Sequence, residues 1–273
     1  MRHTRRPLLR KSVTDTILAL YEQYHRPEFI GLDPLITLRR FSRRKDLEIA
    51  GFVAAILSYG RVETIIRNVS FLFERMENEP ARFLHETTYQ EKKRCFNGFI
   101  HRFNNGDDVA LLLQAVGALA AKHGSMEKFV AGKFTNNGGG VREALSGVAT
   151  AIAGTALQWN QTVSRGFRFL VPSPADGSAC KRLNMYLRWM VRPDDGIDLG
   201  VWHRIRPEQL MMPVDTHIAS IATRFGLTGR KNSDWRMAEE ITGGLRRIDP
   251  ADPVRFDFSL CRSGMITMRK GAA

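Results

Sequence analysis

Helical periodicity runs through almost the whole chain and constrains its fold more than any other feature. Between Val13 and Tyr24 the apolar residues recur every three or four positions, which gives a helix one apolar face. Residues 47–57 are apolar nearly all the way round, as is typical of a central buried helix, and Asp46 is its predicted N-cap. Further helices are predicted at 61–77, 89–103, 107–123, 126–134, 140–155 and 255–260. Because extended alternating segments are scarce, the sequence predicts an all-α protein.

The net charge narrows the classes of partner. The chain has 41 Lys and Arg residues against 28 Asp and Glu, a formal net charge of +13. Such a balance favours a polyanion, nucleic acid first and anionic membrane second. No apolar run approaches the roughly 20 residues of a spanning helix, so we expect no membrane partner. The basic start, residues 1–7, lacks a signal-peptide core and is predicted to be a flexible arm.

The cysteines and histidines argue against a metal site or a disulfide framework. Cys95, Cys180 and Cys261 are odd in number and far apart, with no CxxC spacing. We therefore expect a reduced cytoplasmic protein without a metal or other cofactor. His217 could pair with Asp215 or bind a metal, but no second histidine follows it at i+4. A metal-dependent hydrolase that uses these two residues stays open as a further class.

Two predicted helices carry residues with chemical potential. The first covers residues 177–192 and places Lys181 in its first turn, where the helix dipole disfavours a cation. That position suits an amine nucleophile, which must be unprotonated to attack carbon, although an ordinary solvated lysine fits the same pattern. The second covers residues 213–227 and is closed by Gly226. Asp215 opens this helix, either as a simple N-cap or as the acidic group of a site.

Together these segments resemble the helix-hairpin-helix DNA glycosylase superfamily, that of endonuclease III and the 8-oxoguanine glycosylases. Lys181-Arg182-Leu183-Asn184-Met185-Tyr186-Leu187 is similar to the helix that begins with the catalytic lysine, and Val214-Asp215-Thr216-His217 to the helix that opens with the catalytic aspartate. Residues 52–58 are similar to an early buried helix. The similarity runs in order over residues 46–227. It is closest to a bacterial group of conserved hypothetical proteins. The stretch between Lys181 and Asp215 is longer than in endonuclease III, and the archaeal 8-oxoguanine glycosylases have a similarly lengthened spacing.

The resemblance implies two helical subdomains with a helix-hairpin-helix-like element and an active-site groove between them. Residues 46–190 would form the central subdomain, and residues 1–45 with 191–273 the second. Three departures stand beside this similarity. The predicted hairpin at 171–178 has one glycine where the family has several, Tyr59-Gly60-Arg61 replaces a common glutamine, and the four-cysteine iron–sulfur cluster is absent.

The function implied is base-excision repair of double-stranded DNA that contains a damaged base, by a monomer in the nucleoid. Lys181 would attack the anomeric carbon of the sugar and leave a Schiff base, which makes abasic-site lyase activity possible. Asp215 would stabilise positive charge on the sugar, and the spacing favours 8-oxoguanine as the base. The alternative is a non-catalytic DNA-binding protein of the same fold.

The face of the 177–192 helix opposite its apolar side carries a basic stripe, Lys181, Asn184, Arg188 and Arg192. This stripe and the resemblance suggest further contact residues. The predicted DNA contacts are Gly177, Ser178, Arg188, Arg192, Tyr59 and Arg61, with Arg230 and Lys231 as further phosphate contacts. The predicted base-pocket residues are Trp202 and His203, with Tyr186 and Trp189 as other aromatic candidates for clamping a flipped base.

Overall fold

A computed structural model describes residues 11–136 and 140–271 and confirms an all-α protein. Its α-helices are α1 (Lys11–Tyr24), α2 (Arg44–Ile56), α3 (Val62–Arg75), α4 (Pro80–Glu86), α5 (Tyr89–Cys95), α6 (Gly106–His123), α7 (Met126–Asn136), α8 (Val141–Ala156), α9 (Arg165–Leu170), α10 (Lys181–Val191), α11 (Thr216–Arg224), α12 (Trp235–Leu245) and α13 (Asp257–Gly271). Short 3₁₀ segments lie at Pro27–Leu32, Pro34–Arg40, Pro174–Asp176 and Pro207–Gln209.

Helix α2 is the central helix, as its all-round apolar sequence predicts. Every residue from Asp46 to Ile56 is buried, and α2 packs along α10. The Tyr186 hydroxyl donates to the backbone carbonyl of Glu48 at 2.8 Å, and its ring meets Phe52 edge to face. These contacts hold the middle of α10 along α2. Arg182 donates to the Ile56 carbonyl at 2.9 Å and so fixes the start of α10, and hence Lys181, at the end of α2.

Most of the remaining helices pack in two sets around one continuous hydrophobic core. Helices α6, α7 and α8 pack on one another, and α4 and α5 pack against α6. Helices α1 and α11 both pack against α13. The buried apolar residues from Ile17 to Leu260 form a single cluster. The boundaries of the two expected subdomains stay a prediction.

Asp46 does not cap α2, so that prediction is wrong. Arg43 occupies the N-cap position, and Asp46 lies buried in the first turn. Its carboxylate accepts hydrogen bonds from Arg43 Nε at 2.6 Å and from the Ala81 backbone N–H at 3.0 Å. Asp46 therefore satisfies an amide at the start of α4, a partner that lies too far along the sequence for local pattern to identify.

The predicted helix at 89–103 is also wrong in its second half. Helix α5 ends at Cys95, and a two-stranded antiparallel hairpin follows, β1 (Ile100–His101) and β2 (Asn104–Asn105). Gly98 breaks the helix with φ +78°, a conformation that glycine adopts without strain. Asn105 then caps α6 in a capping box with Asp108. This small hairpin lies beside the site described below.

Other expectations concern the ends of the chain and the membrane. The last helix extends beyond the predicted 255–260, from Asp257 to Gly271. The basic arm at 1–7 lies outside the described residues. Within the described residues, no single helix is long and apolar enough to cross a membrane. Helix α6 and Met126–Phe134 reach that length and composition only as a pair bent by 78°.

Candidate active site

One cavity brings the two predicted catalytic residues together. It has a volume of about 680 Å³, and both Lys181 and Asp215 line it. The turn at 58–61 that follows α2, the start of α3 and one side of α13 complete its walls. A second cavity, of about 710 Å³, lies between α2, α4 and α6 and contains neither residue.

Lys181 is the first residue of α10 and is held at the cavity wall by a strained turn. The preceding residue, Cys180, has φ +48°, a left-handed conformation that costs a non-glycine residue about 1–3 kcal/mol. Its backbone N–H donates to Ser178 Oγ at 3.1 Å and its thiol to the Pro172 carbonyl at 3.4 Å. The half-buried Lys181 donates from Nζ to the Ser58 carbonyl at 3.4 Å. The turn thus aims an amine at the end of α2.

Asp215 caps α11 with one carboxylate oxygen and turns the other towards α13. Oδ1 accepts from the backbone N–H groups of His217 and Ile218, both at 2.9 Å. This is the N-cap role that the sequence predicts. Oδ2 lies 3.9 Å from Sγ of Cys261 on α13. The cap therefore fixes the carboxylate while leaving one oxygen directed to the cavity side.

Asp257 brings a second carboxyl group to the cavity, at the first position of α13. It is buried and pairs with the guanidinium of Arg188. Burial, helped by the nearby Asp215 carboxylate, raises the pKa of Asp257 to about 6 against the opposing effects of Arg188 and Lys181. Burial, with Asp215 next, also holds the pKa of the Cys261 thiol well above its usual range. Cys261 is therefore a neutral thiol beside the carboxylates.

Tyr59, Arg61 and Arg182 form one edge of the cavity. Arg61 is exposed, and its role as a DNA contact stays a prediction. The buried Arg182 guanidinium donates to the Ile56 carbonyl at 2.9 Å and to the Phe169 carbonyl. It also lies over the ring of half-buried Tyr59, 5.1 Å from the centroid. Burial raises the pKa of Tyr59 to about 12 and lowers that of Arg182 to about 10.

Arg188 and Arg192 do not face solvent, so their prediction as phosphate contacts is wrong in this fold. Arg188 bonds Asp198 at 3.1 Å and also pairs with Asp257. Arg192 pairs with Asp198 and bonds Asp252 at 2.8 Å. Burial alone would lower the pKa of both arginines, but the neighbouring carboxylates have the larger effect, so the pKa of each is raised. They hold α10 to the segments that follow it.

Trp202 and His203 do not reach the cavity, so their assignment to a base pocket is also wrong. Trp202 is 1% exposed, donates from Nε1 to Glu48 at 3.2 Å and packs edge to face on Tyr186. His203 is exposed, and its backbone N–H donates to Glu127. Tyr186 and Trp189 are core residues.

The other predicted DNA contacts lie at or near the surface, and Arg230 already has a carboxylate partner. The backbone N–H of exposed Gly177 donates to the Pro174 carbonyl at 3.1 Å, and half-buried Ser178 uses its hydroxyl to accept from Cys180. Arg230 is bound by Asp234 through two bonds, at 2.9 and 2.6 Å. Lys231 is exposed. Among the residues that the structure describes, no group of three or more His, Cys, Asp and Glu side chains is arranged to hold a metal ion.

Sequence reasoning missed Asp257 and Cys261. Both lie beyond the range of the family resemblance. Asp257 is in the segment 255–260, predicted only as a helix, and Cys261 directly follows that segment. A charged residue between two phenylalanines, Phe256 and Phe258, was the available signal, because a carboxylate between core residues needs a buried partner. Its partner, Arg188, is 69 positions away.

One protein family matches the chain, and no comparison assigns it an activity. The model of a family described as "Protein of unknown function (DUF2400)" matches residues 33–266. No curated protein and no solved structure matches the chain.

Proposed function

The chain belongs to this DUF2400 family, and we propose that it is a DNA base-excision glycosylase with abasic-site lyase activity, in which Lys181 is the nucleophile. One observation carries the proposal: Lys181 and Asp215, each at the start of a helix, line the same cavity. An amine and a carboxylate in one partly enclosed site are the groups that nucleophilic cleavage of a glycosidic bond requires.

The chemistry assigns one task to each residue. Nζ of Lys181 attacks C1′ of the sugar with its lone pair, and the N-glycosidic bond breaks as the base leaves with the bonding electrons and takes up a proton. The sugar ring opens, and loss of the amine proton yields a Schiff base on Lys181. Asp215 stabilises the positive charge that develops on the sugar. Removal of a C2′ proton then expels the 3′ phosphate, which is the lyase step.

The DNA partner is supported by the charge of the chain and by the segment before Lys181. The net charge of +13 attracts the phosphate backbone. Helix α9, the turn at 171–180 and α10 together are the candidate helix-hairpin-helix element, and the cavity is the candidate groove between two subdomains. The target nucleotide would be flipped out of the duplex into this cavity. The proposed substrate is an oxidised purine, 8-oxoguanine, in double-stranded DNA.

Trapping with borohydride tests the nucleophile. The protein is incubated with duplex oligonucleotides that contain 8-oxoguanine or an abasic site, in the presence of borohydride, which reduces a Schiff base to a stable amine. We expect a covalent complex for the wild type and none for Lys181→Gln. Lys128→Gln, a change of an exposed lysine on α7 outside the cavity, is the matched control and should trap normally.

The outcomes separate the enzyme from a binding protein. Trapping that persists in Lys181→Gln would move the nucleophile to another amine. Tight binding of DNA without trapping on either substrate would overturn the proposed activity and favour a non-catalytic DNA-binding protein. Trapping on the abasic duplex alone would keep the lyase step and reject 8-oxoguanine as the substrate.

A further inference from the structure

The β1–β2 hairpin presents apolar side chains to solvent next to the cavity. At its tip, Arg102 and Phe103 connect the paired residues His101 and Asn104. Ile100 is 69% exposed, Phe103 55% and, beside them on α9, Phe169 39%. Three of the six large hydrophobic residues that are prominently exposed in the described chain therefore gather at one place. Clustered apolar exposure of this kind marks a binding surface.

The hairpin is held rigidly although its tip is exposed. The Tyr59 hydroxyl donates to Asn104 Oδ1 and lies 3.2 Å from the His101 carbonyl oxygen. Asn68 donates to the Ile100 carbonyl at 3.2 Å and contacts the His101 ring at 2.9 Å. Arg102 has φ +58°, a strained conformation that the anchored strands impose. A rigid exposed tip loses little conformational entropy when a ligand binds to it.

The exposed rings form a continuous aromatic surface that starts at the cavity edge. Tyr59, which lines the cavity, stacks on Phe103 with ring centroids 5.6 Å apart and an interplanar angle of 24°. Phe103 meets Phe169 edge to face at 4.3 Å. The buried Arg182 guanidinium packs against the Phe169 ring, 4.5 Å from its centroid. We call Tyr59, Phe103 and Phe169 the aromatic platform.

Exposed arginines are close in the chain to each ring of the aromatic platform. Arg61 lies two residues after Tyr59, Arg102 directly precedes Phe103, and the Arg102 side chain lies against Gly60. Arg165 and Arg168 are exposed on α9, the helix that carries Phe169. Aromatic rings flanked by arginines match a ligand that carries flat apolar bases on an anionic chain. This charge complementarity favours nucleic acid over a protein surface as the occupant.

We propose that the aromatic platform stacks unpaired nucleobases, so that the protein prefers DNA with unpaired bases near the target over fully paired duplex. The inference rests on the DNA partner of the proposed function and names its substrate class. Every base offers a π-face, so stacking on Phe103 is independent of sequence. Tyr59 belongs both to the platform and to the cavity wall. A base stacked on Phe103 would therefore lie close to the nucleotide that enters the cavity towards Lys181.

A pair of labelled duplexes tests the proposal, one fully paired and one with a short central bubble. Binding is followed by fluorescence anisotropy, and 2-aminopurine in the bubble reports stacking by loss of its emission. We expect the wild type to bind the bubble at least about tenfold more tightly than the paired duplex. Phe103→Ala should lose about tenfold on the bubble and little on the paired duplex, whereas Phe103→Trp should keep the preference.

Leu157→Ala, which changes another exposed apolar residue, at the C-terminal end of α8, is the control and should bind as the wild type does. Equal binding of both duplexes by the wild type, or an unchanged preference in Phe103→Ala, would overturn the inference. A change of oligomeric state in Phe103→Ala would overturn it as well, because the platform would then bind protein. If the wild type prefers the bubble but forms no borohydride-trapped complex, the proposed chemistry is rejected and the inference about the aromatic platform is kept.

Discussion

At the scale of single residues, Asp215 combines a structural task with the proposed chemical one. Its Oδ1 caps α11, and its Oδ2 is directed towards Cys261 and the cavity. An aspartate at a helix start is most simply explained as a cap, and the structure confirms that explanation. The two tasks are separable because asparagine caps a helix about as well as aspartate but carries no charge.

Asp215→Asn and Asp215→Ala should therefore have different effects. The alanine variant loses the cap and should lower the free energy of unfolding by about 1 kcal/mol, whereas the asparagine variant should stay close to the wild type. Both variants should lose borohydride trapping, since neither stabilises positive charge on the sugar. Urea unfolding and trapping measure the two effects. Normal trapping by Asp215→Asn would limit Asp215 to its structural role.

Asp257 gives the protein a pH dependence of definite sign. Its pKa of about 6 lies above the ordinary value of 3.8, so its protonated form is favoured by folding. This contribution to stability is complete below about pH 4 and is lost as the pH rises through about 6. Asp257→Asn, which is neutral throughout, should lack this fall between about pH 4 and 6 in urea unfolding experiments. Parallel pH profiles for the two proteins would contradict the assigned pKa.

At the scale of elements, the start of α6 is packed against the end of α5 without room for a side chain. A Cβ at Gly106 would lie 1.9 Å from the Phe96 carbonyl oxygen. Gly106→Ala should thus lower the free energy of unfolding by about 1–3 kcal/mol, because backbone must move. Gly154→Ala on α8 is the matched control: its Cβ meets nothing within 4 Å, and we expect a gain of about 0.4–1 kcal/mol. Thermal and urea unfolding of the pair measure the difference.

The helices with strong periodicity could be predicted from the sequence. The β1–β2 hairpin could not be predicted from periodicity alone. Helices α2, α6 and α8 begin and end within a few residues of the predicted limits. Residues 89–103 continue a helical apolar pattern, which concealed the break after Cys95. The turn residues Asn97-Gly98 and Asn104-Asn105-Gly106 are the local signal that would have divided this segment.

At the scale of the whole molecule, the net charge of +13 should govern the affinity for DNA. The logarithm of the association constant should fall linearly with the logarithm of the salt concentration, by about 0.9 for each phosphate contacted. Arg61→Gln and Arg102→Gln should each reduce this slope by about 1, and Phe103→Ala should leave it unchanged. Arg142→Gln, on the exposed side of α8, is the control. Slopes that do not change in the two arginine variants would remove the cavity rim from the DNA contact surface.

The candidate site was predictable where it depends on helix starts and unpredictable where it depends on distant partners. Lys181 and Asp215 open helices α10 and α11, as their local sequence indicates. Arg188 was assigned to a solvent-facing stripe because the helical pattern records only its position relative to apolar neighbours. Its partners, Asp198 and Asp257, come from elsewhere in the chain, and only the tertiary fold brings them to it.

The buried Arg188 has a consequence for how sequences of this fold can diverge. Replacing it alone leaves Asp257 as a buried charge without its ion-pair partner, at a cost of about 3–5 kcal/mol, whereas Asp198 keeps its pair with Arg192. Replacing Arg188 and Asp257 together with apolar residues of similar volume is expected to cost much less. Substitutions at these two positions are therefore strongly epistatic, so we expect the two residues to be retained or replaced together.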